Sequence, residues 1–96
     1  MNRLVEIRPE DPLGVRDGAI LELMYSSGLR LSELTGLDLQ DLDLADAVVT
    51  LHGKGGKVRK VPVGRQATRA LKAWLLIRGG MAAAGQKAVF VSRLGR

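Results

Sequence analysis

The sequence predicts an α+β fold that is mainly helical, with a small three-stranded, mostly antiparallel sheet. Apolar residues between Ala67 and Leu75 recur at i, i+3, i+4, i+7 and i+8, which is typical of an amphipathic helix. β-branched runs over 47–52 and 58–63 flank a glycine-rich segment, which favours a hairpin. With 96 residues, 46% of them hydrophobic and 26% charged, the chain is expected to form a single domain, 1–96.

A first helix is predicted to begin at Asp11 and Pro12, because aspartate is a good N-cap and proline fits the first helical position. It should run to about Ser26 and stop at Gly28, since glycine readily adopts the left-handed conformation. Residues 1–10 are interpreted as a loosely structured lead-in. The predicted core-facing stripe of this helix is Ile20, Leu23, Met24 and Ser27.

A second, short helix is predicted from about Arg30 to Thr35, with Leu31 and Leu34 facing the core. Residues 37–46, in which aspartates alternate with leucines, are interpreted as a turn-rich connector.

The remaining elements are the hairpin strands, a third helix and a last strand. Pro62 cannot donate a hydrogen bond to a sheet, so the second hairpin strand is predicted at an edge. The third helix is expected to end at Gly79 and Gly80. Residues 88–92 are predicted to form a short strand that joins the hairpin and completes the sheet.

Charge is divided unevenly along the chain. All ten acidic residues lie within 1–46, whereas 47–96 contains eleven lysines and arginines and no acid. Positive charges concentrated in one segment repel one another unless a polyanion binds them. Double-stranded DNA is therefore the predicted partner. A solubilising basic surface is the simpler alternative. It is weakened by the concentration of four basic residues within one predicted hairpin, Lys54, Lys57, Arg59 and Lys60.

The composition excludes several functional classes. There is no cysteine and only one histidine, so disulfides and thiolate metal sites are excluded, and no metal or other cofactor is expected. Asp38, Asp41 and Asp43 lack the glycine and glutamate of a calcium loop. The glycine-rich residues 53–57 lack the spacing of a P-loop. No membrane span or signal peptide is evident, which makes a cytoplasmic location the default.

Two basic residues are the candidate catalytic residues, Arg30 and Lys54. A guanidinium at a helix start can bind two phosphate oxygens in a fork, although the helix dipole disfavours a cation there. Lys54 lies between glycines that let the backbone approach DNA, and its amine can act as a general acid. Taken alone, the simpler interpretations are an ion pair between Arg30 and Glu33 or another nearby carboxylate, and plain phosphate attraction by Lys54.

Other polar and aromatic residues receive supporting or structural roles. Glu33 is a supporting residue that can hold Arg30 in place. His52 is interpreted as a strand-end or phosphate-side residue rather than a catalytic base. Tyr25 and Trp74 are expected in the core. Three further hairpin residues are predicted to bind DNA phosphates without reading sequence: Lys57, Arg59 and Lys60.

Short segments from Asp11 onward match one protein family in order and without evident insertion. They are Asp11-Pro12-Leu13, Val15-Arg16-Asp17, Met24 to Leu34, Gly36-Leu37-Asp38, Leu42-Asp43-Leu44, Gly53-Lys54-Gly55, Lys57, Val61-Pro62, Gly64-Arg65, Val89 to Ser92 and Leu94-Gly95. Through them the sequence resembles the catalytic domain of the tyrosine recombinases, the phage integrase family, and most closely its XerC-like members. No single segment is decisive, but the combination at this spacing is highly specific.

The resemblance implies roles for both candidate residues. It implies that Arg30 is the first of the family's two active-site arginines, which binds the scissile phosphate. It implies that Lys54 is the hairpin lysine that enters the minor groove and protonates the departing 5′ oxygen. In such enzymes a tyrosine attacks the phosphate to form a 3′-phosphotyrosyl link, without metal or ATP. For XerC-like members the resemblance further implies a XerD-like partner recombinase, a controlling DNA translocase and a role in chromosome dimer resolution.

The sequence departs from the family pattern at both ends. It lacks the N-terminal DNA-clamping domain, the later His/Lys-x-x-Arg helix, the last histidine or tryptophan and the tyrosine nucleophile, whose motif Tyr25 does not match. We therefore expect these 96 residues alone neither to cleave nor to rejoin DNA. We also expect the stripes of the first and third helices to lack their usual partner helices and to leave an apolar patch on the order of several hundred Å² exposed.

Two other functional classes stay open from the residues alone. One is a small, non-enzymatic DNA-binding module that uses the basic hairpin. A helix-turn-helix version is disfavoured, because it would place the acidic residues of 33–43 against phosphates. The other is an interaction domain without nucleic acid, which leaves the basic C-terminal half unexplained.

Overall fold

The structure is a computed structural model that describes residues 11–95. Its helices and strands, in chain order, are α1 (Pro12–Ser27), α2 (Leu31–Thr35), β1 (Leu42–Asp43), β2 (Val48–His52), β3 (Val58–Pro62) and α3 (Arg65–Met81). One 3₁₀ turn, Leu39–Asp41, precedes β1, and a second, Lys54–Gly56, connects β2 to β3. The predicted α+β fold with a three-stranded antiparallel sheet is confirmed. The predicted lead-in over 1–10 lies outside the described residues.

The first helix begins and ends where local chemistry predicts. Asp11 caps α1, with its Oδ1 accepting a hydrogen bond from the Gly14 amide at 3.2 Å. Gly28 ends α1 in the left-handed conformation, with a φ of 70°. The next helix, α2, begins at Leu31 because Arg30 is its N-cap, with an extended backbone at φ −89° and ψ 155°.

The third strand of the sheet is not the predicted one. β2 lies in the centre, paired with β1 on one side and with β3 on the other, so β3 is an edge strand as predicted. Residues 88–92 form no strand and meet the connector 37–46 through a single bridge between Asp38 and Ala88. The connector instead supplies β1, because pairing with β2 satisfies backbone groups that a two-residue segment cannot satisfy alone.

One core joins α1, α3 and the sheet, with Trp74 at its centre. Trp74 is fully buried, and its Nε1 donates to the Val89 carbonyl at 2.8 Å. Its ring stacks on Phe90 with centroids 6.5 Å apart, so the prediction that Trp74 is a core residue is confirmed. The other buried apolar residues of this core are Ala19, Leu23, Leu29, Leu34, Leu37, Val49, Leu51, Val63, Ala67, Leu71, Val89 and Val91.

Some expectations about exposure are wrong. Tyr25 was expected in the core but is 96% exposed, and Leu31 is 56% exposed. The stripes of α1 and α3 are not left without partners, since Leu23 of α1 and Trp74 of α3 belong to the same core and the two helices pack together. Leu76 nevertheless remains 85% exposed on the outer face of α3.

The third helix continues through Gly79 and Gly80, which were predicted to end it. The buried side chain of Arg78 explains the continuation. Its Nε donates to the Ala88 carbonyl and its Nη2 to the Gln86 carbonyl, both at 2.8 Å. These bonds hold the last turn and offset the roughly 1 kcal/mol by which each glycine disfavours a helix. Within 11–95, no helix combines the length and the apolar character needed to cross a membrane.

Candidate functional site

Lys54 lies in a short exposed loop at the end of the hairpin. Every residue from 53 to 57 is exposed. The Gly53 amide donates to the Lys57 carbonyl at 2.7 Å, and the Lys57 amide donates to the Lys54 carbonyl at 3.4 Å, so the loop closes on itself. Gly55 has a φ of 71°, a conformation that glycine adopts without strain. The sequence therefore presents the Lys54 ammonium to solvent on a tightly turned backbone.

Arg30 is held by its backbone. Its amide donates to Oε1 of Glu33 at 2.8 Å, while the Glu33 amide donates back to the Arg30 carbonyl at 3.0 Å. This reciprocal pattern satisfies amides that have no partner within the first turn of α2. Among residues 11–95, no ion pair holds the Arg30 guanidinium. Within this part of the chain the Arg30 side chain is exposed and can bind an anion.

Glu33 joins α2 to the hairpin. Its Oε2 accepts from Nη2 of Arg59 on β3 at 3.3 Å, so its ion-pair partner is Arg59 rather than the Arg30 guanidinium that the simpler interpretation favoured. The hydrogen bond from the Arg30 amide lowers the pKa of Glu33. Partial desolvation opposes this shift, and the nearby charge of Arg59 adds to it. Glu33 is thus held ionised between two candidate site residues.

A concavity of about 550 Å³ lies between α2 and the hairpin. It brings together four of the predicted site residues, Glu33, Lys54, Lys57 and Arg59. Arg30 does not line it and is connected to it through the backbone hydrogen bond to Glu33. Three cations around one carboxylate give this concavity a net positive character, which suits an anionic ligand.

Lys60 is not brought to this concavity. It pairs across the sheet with Thr50, and both face a second concavity of about 440 Å³. Successive residues of a strand point to opposite faces, so Arg59 and Lys60 cannot serve the same surface. The second concavity also contains carboxylates that oppose an anionic ligand there: Asp41, Asp43 and Asp46.

Besides the ion pair between Glu33 and Arg59, the structure reveals a pairing of His52 with Asp41 that sequence reasoning missed. Nε2 of His52 lies 3.0 Å from Oδ1 of Asp41, whose residue is only 7% exposed. The other carboxylate oxygen of Asp41 accepts from the Asp38 amide at 3.0 Å. The signal for this pairing was weak, because it depends on β1 lying beside β2 and β1 was not predicted.

The chemistry available to the site follows from these groups. Among residues 11–95 no cluster of three or more histidine, aspartate or glutamate side chains could hold a metal ion. The arginine and lysine side chains can bind phosphate oxygens through charge-assisted hydrogen bonds. The exposed lysine ammonium of the loop can also transfer a proton to a nearby oxyanion.

Comparison with known sequences gives consistent matches over nearly the whole chain. The sequence model described as the Phage integrase family matches residues 1–96. A tyrosine recombinase XerC from Xanthomonas campestris pv. campestris is 57% identical over 93 residues, which cover 97% of this chain and 28% of that protein. A tyrosine recombinase XerC from Vibrio campbellii is 48% identical over 95 residues, 99% of this chain and 30% of that protein. The chain therefore spans less than a third of the length of these relatives.

Solved structures share the fold. The crystal structure of XerA recombinase is 32% identical, with a TM-score of 0.74, and the match covers 81% of this chain and 28% of that chain. A XerH site-specific recombinase bound to its difH substrate in a pre-cleavage complex has a TM-score of 0.76 over 93% of this chain and 26% of that chain. Its identity is 23%, so it supports the fold alone.

Proposed function

The chain belongs to the phage integrase family, and we propose that it is the part of a XerC-like, site-specific tyrosine recombinase that holds the phosphodiester to be cut. The ligand in this proposal is double-stranded DNA. Among residues 11–95 the cations of the hairpin are concentrated on an exposed end, where a phosphate backbone can reach them.

Arg30 is the proposed phosphate-binding residue. Its backbone is fixed at the start of α2 by Glu33, whereas its guanidinium makes no ion pair with another residue of 11–95. Both features suit a group that must bind two phosphate oxygens without reorganising. Glu33 supports it by holding the backbone of Arg30 and the side chain of Arg59 at the same time.

Lys54 is the proposed general acid. Cleavage of a phosphodiester by an attacking hydroxyl releases an alkoxide on the 5′ oxygen, which needs a proton. A lysine on an exposed, glycine-containing loop can approach the backbone closely enough to supply it. Lys57 and Arg59 line the same concavity and would hold neighbouring phosphates, whereas Lys60 would act from the opposite face of the hairpin.

The attacking tyrosine is not assigned to any residue of this chain. Tyr25 is the only tyrosine in the sequence and extends from α1 with its side chain in solvent. Tyr25 lies before Arg30 in a segment that does not match the motif of the family's tyrosine nucleophile. These 96 residues alone are therefore proposed to form no covalent link with DNA. A suicide substrate that traps protein–DNA adducts tests this, and an adduct formed by the chain would refute it.

The biological setting is part of the same proposal. The identities of 45–57% to tyrosine recombinase XerC proteins support site-specific recombination of DNA, and we propose dimer resolution of the chromosome, before cell division and in the cytoplasm, as its setting. The proposal also includes a XerD-like recombinase as partner and a DNA translocase as regulator. The observation that carries the proposed function is the placement of Lys54 on an exposed loop beside Glu33, to which the Arg30 backbone is bonded.

Salt titrations of DNA binding test the proposal. Lys54→Ala is expected to lower the slope of log K against log salt by about 0.9, because one phosphate contact is lost. Lys87→Ala, an exposed lysine outside both hairpin concavities, is the matched control and should leave the slope unchanged. Equal slopes for Lys54→Ala and the wild type would contradict a role for Lys54 at DNA.

A further inference from the structure

The last two cross-strand residue pairs of the hairpin contact the rest of the protein on both faces of the sheet. Leu51 lies opposite Arg59, and His52 lies opposite Val58. Arg59 reaches Glu33 on one face of the sheet, while His52 reaches Asp41 from the other, because successive residues on a strand point to opposite sides. The loop that carries the candidate general acid begins directly after these pairs.

The contact between His52 and Asp41 is asymmetric in burial. The Asp41 side chain is 7% exposed and that of His52 is 60% exposed. Both carboxylate oxygens of Asp41 have partners, His52 Nε2 on one and the Asp38 amide on the other. Leaving a buried carboxylate oxygen without a hydrogen-bond donor costs free energy. We therefore expect the buried Asp41 side chain to stay in place and to hold the more exposed His52 side chain.

We propose that the contact between Asp41 and His52 is a strut that positions Lys54 on DNA. The proposal rests on the function proposed above for Lys54. His52 is two residues before Lys54, and the Gly53 between them is bound across the loop to the Lys57 carbonyl at 2.7 Å. A shift of the end of β2 therefore moves the whole loop. His52 is a positioning residue in this proposal, because it acts on DNA only through Lys54.

A direct DNA contact by His52 is the rival role. His52 borders the concavity that Lys54, Lys57 and Arg59 line, although its Nε2 is directed to Asp41, so the residue lies near groups that would bind phosphate. The two roles make different demands. A strut requires only a hydrogen-bond donor at the position of Nε2, which a glutamine supplies, whereas a cationic phosphate contact requires a charge.

Cross-linking of the chain to an abasic duplex tests the strut. Lysine Nζ forms an imine with the sugar aldehyde, with loss of water, and cyanoborohydride reduces it to a stable amine that peptide mass mapping assigns to one lysine. His52→Leu is expected to lower the Lys54 adduct on the order of tenfold, since a misplaced group loses effective molarity steeply. The adduct at Lys60, which lies on β3 outside the loop, should stay near the wild-type level, and His52→Gln should restore the Lys54 adduct. Thr50→Leu, on the same strand and face, is the matched control.

Each result separates the possibilities. An undiminished Lys54 adduct in His52→Leu overturns the strut, and so does a parallel fall of all lysine adducts, which would indicate direct binding or a global structural role. No Lys54 adduct in the wild-type chain overturns the proposed function of Lys54 itself, and with it this inference. If His52→Leu does not fold, His52→Asn replaces it, because asparagine is too short to reach Asp41. Equal Lys54 adducts in His52→Asn and His52→Gln would then overturn the strut.

Discussion

Trp74 and Lys54 lie in opposite environments of the same small protein. Trp74 is fully buried, hydrogen-bonded and stacked on a neighbouring ring. Lys54 stands on a loop in which all five residues are exposed, and that loop is closed mainly by its own backbone bonds. Stability and the proposed DNA chemistry thus depend on separate residues. Substitutions in the two regions should therefore change separate measurements.

Removal of the buried Trp74 side chain should change stability most. Trp74→Ala should destabilise the fold by about 3–5 kcal/mol, because it removes a large buried side chain and leaves the Val89 carbonyl without its donor. That is a large share of the 5–15 kcal/mol by which a typical domain is stable. Urea unfolding followed by circular dichroism measures the loss. Leu76→Ala, at an exposed position of the same helix, is the control, and an equal loss for the two variants would contradict the described core.

A smaller effect is expected where the two regions meet. The Arg30 amide, with help from the Arg59 charge, lowers the pKa of Glu33 below its ordinary 4.5. A carboxyl group with a lowered folded-state pKa stabilises the fold above its ordinary pKa and loses that contribution as pH falls through the folded value. Wild-type melting temperature should therefore fall more steeply below pH 4.5 than that of Glu33→Gln.

The control for this pH effect is Leu76→Ala, which removes no titrating group from an exposed position and should keep the wild-type steepness. Parallel acid profiles for the wild type and Glu33→Gln would show that Glu33 does not connect α2 to the hairpin. The effect is expected to be small, because the Glu33–Arg59 pair is partly exposed and screened by solvent.

Local chemistry made much of the fold predictable. Asp11 and Pro12 mark the start of α1, and Gly28 marks its end, because caps and turns depend on a few neighbouring residues. The strands of the hairpin differ from the predicted bounds by one residue at the outer ends. Long apolar periodicity predicted α3 and the burial of Trp74 in the same way.

The features that were not predicted depend on residues far apart in the chain. β1 exists because it pairs with β2, and α3 continues through Gly79 because Arg78 binds carbonyls of a later loop. Within the candidate site, the basic character of the hairpin was evident from composition. The partner of Glu33 was not, since Arg59 is 26 residues away and is brought near only when the chain folds.

In the proposed function, Arg30 and Lys54 act on the same phosphodiester. A double-mutant cycle of Arg30→Ala and Lys54→Ala, read as affinity for a short DNA duplex at fixed salt, tests it most directly. Two groups on one phosphate should be coupled by about 0.5–3 kcal/mol. Losses that add within about 0.3–0.5 kcal/mol would show that the two side chains bind independently, and would contradict the claim.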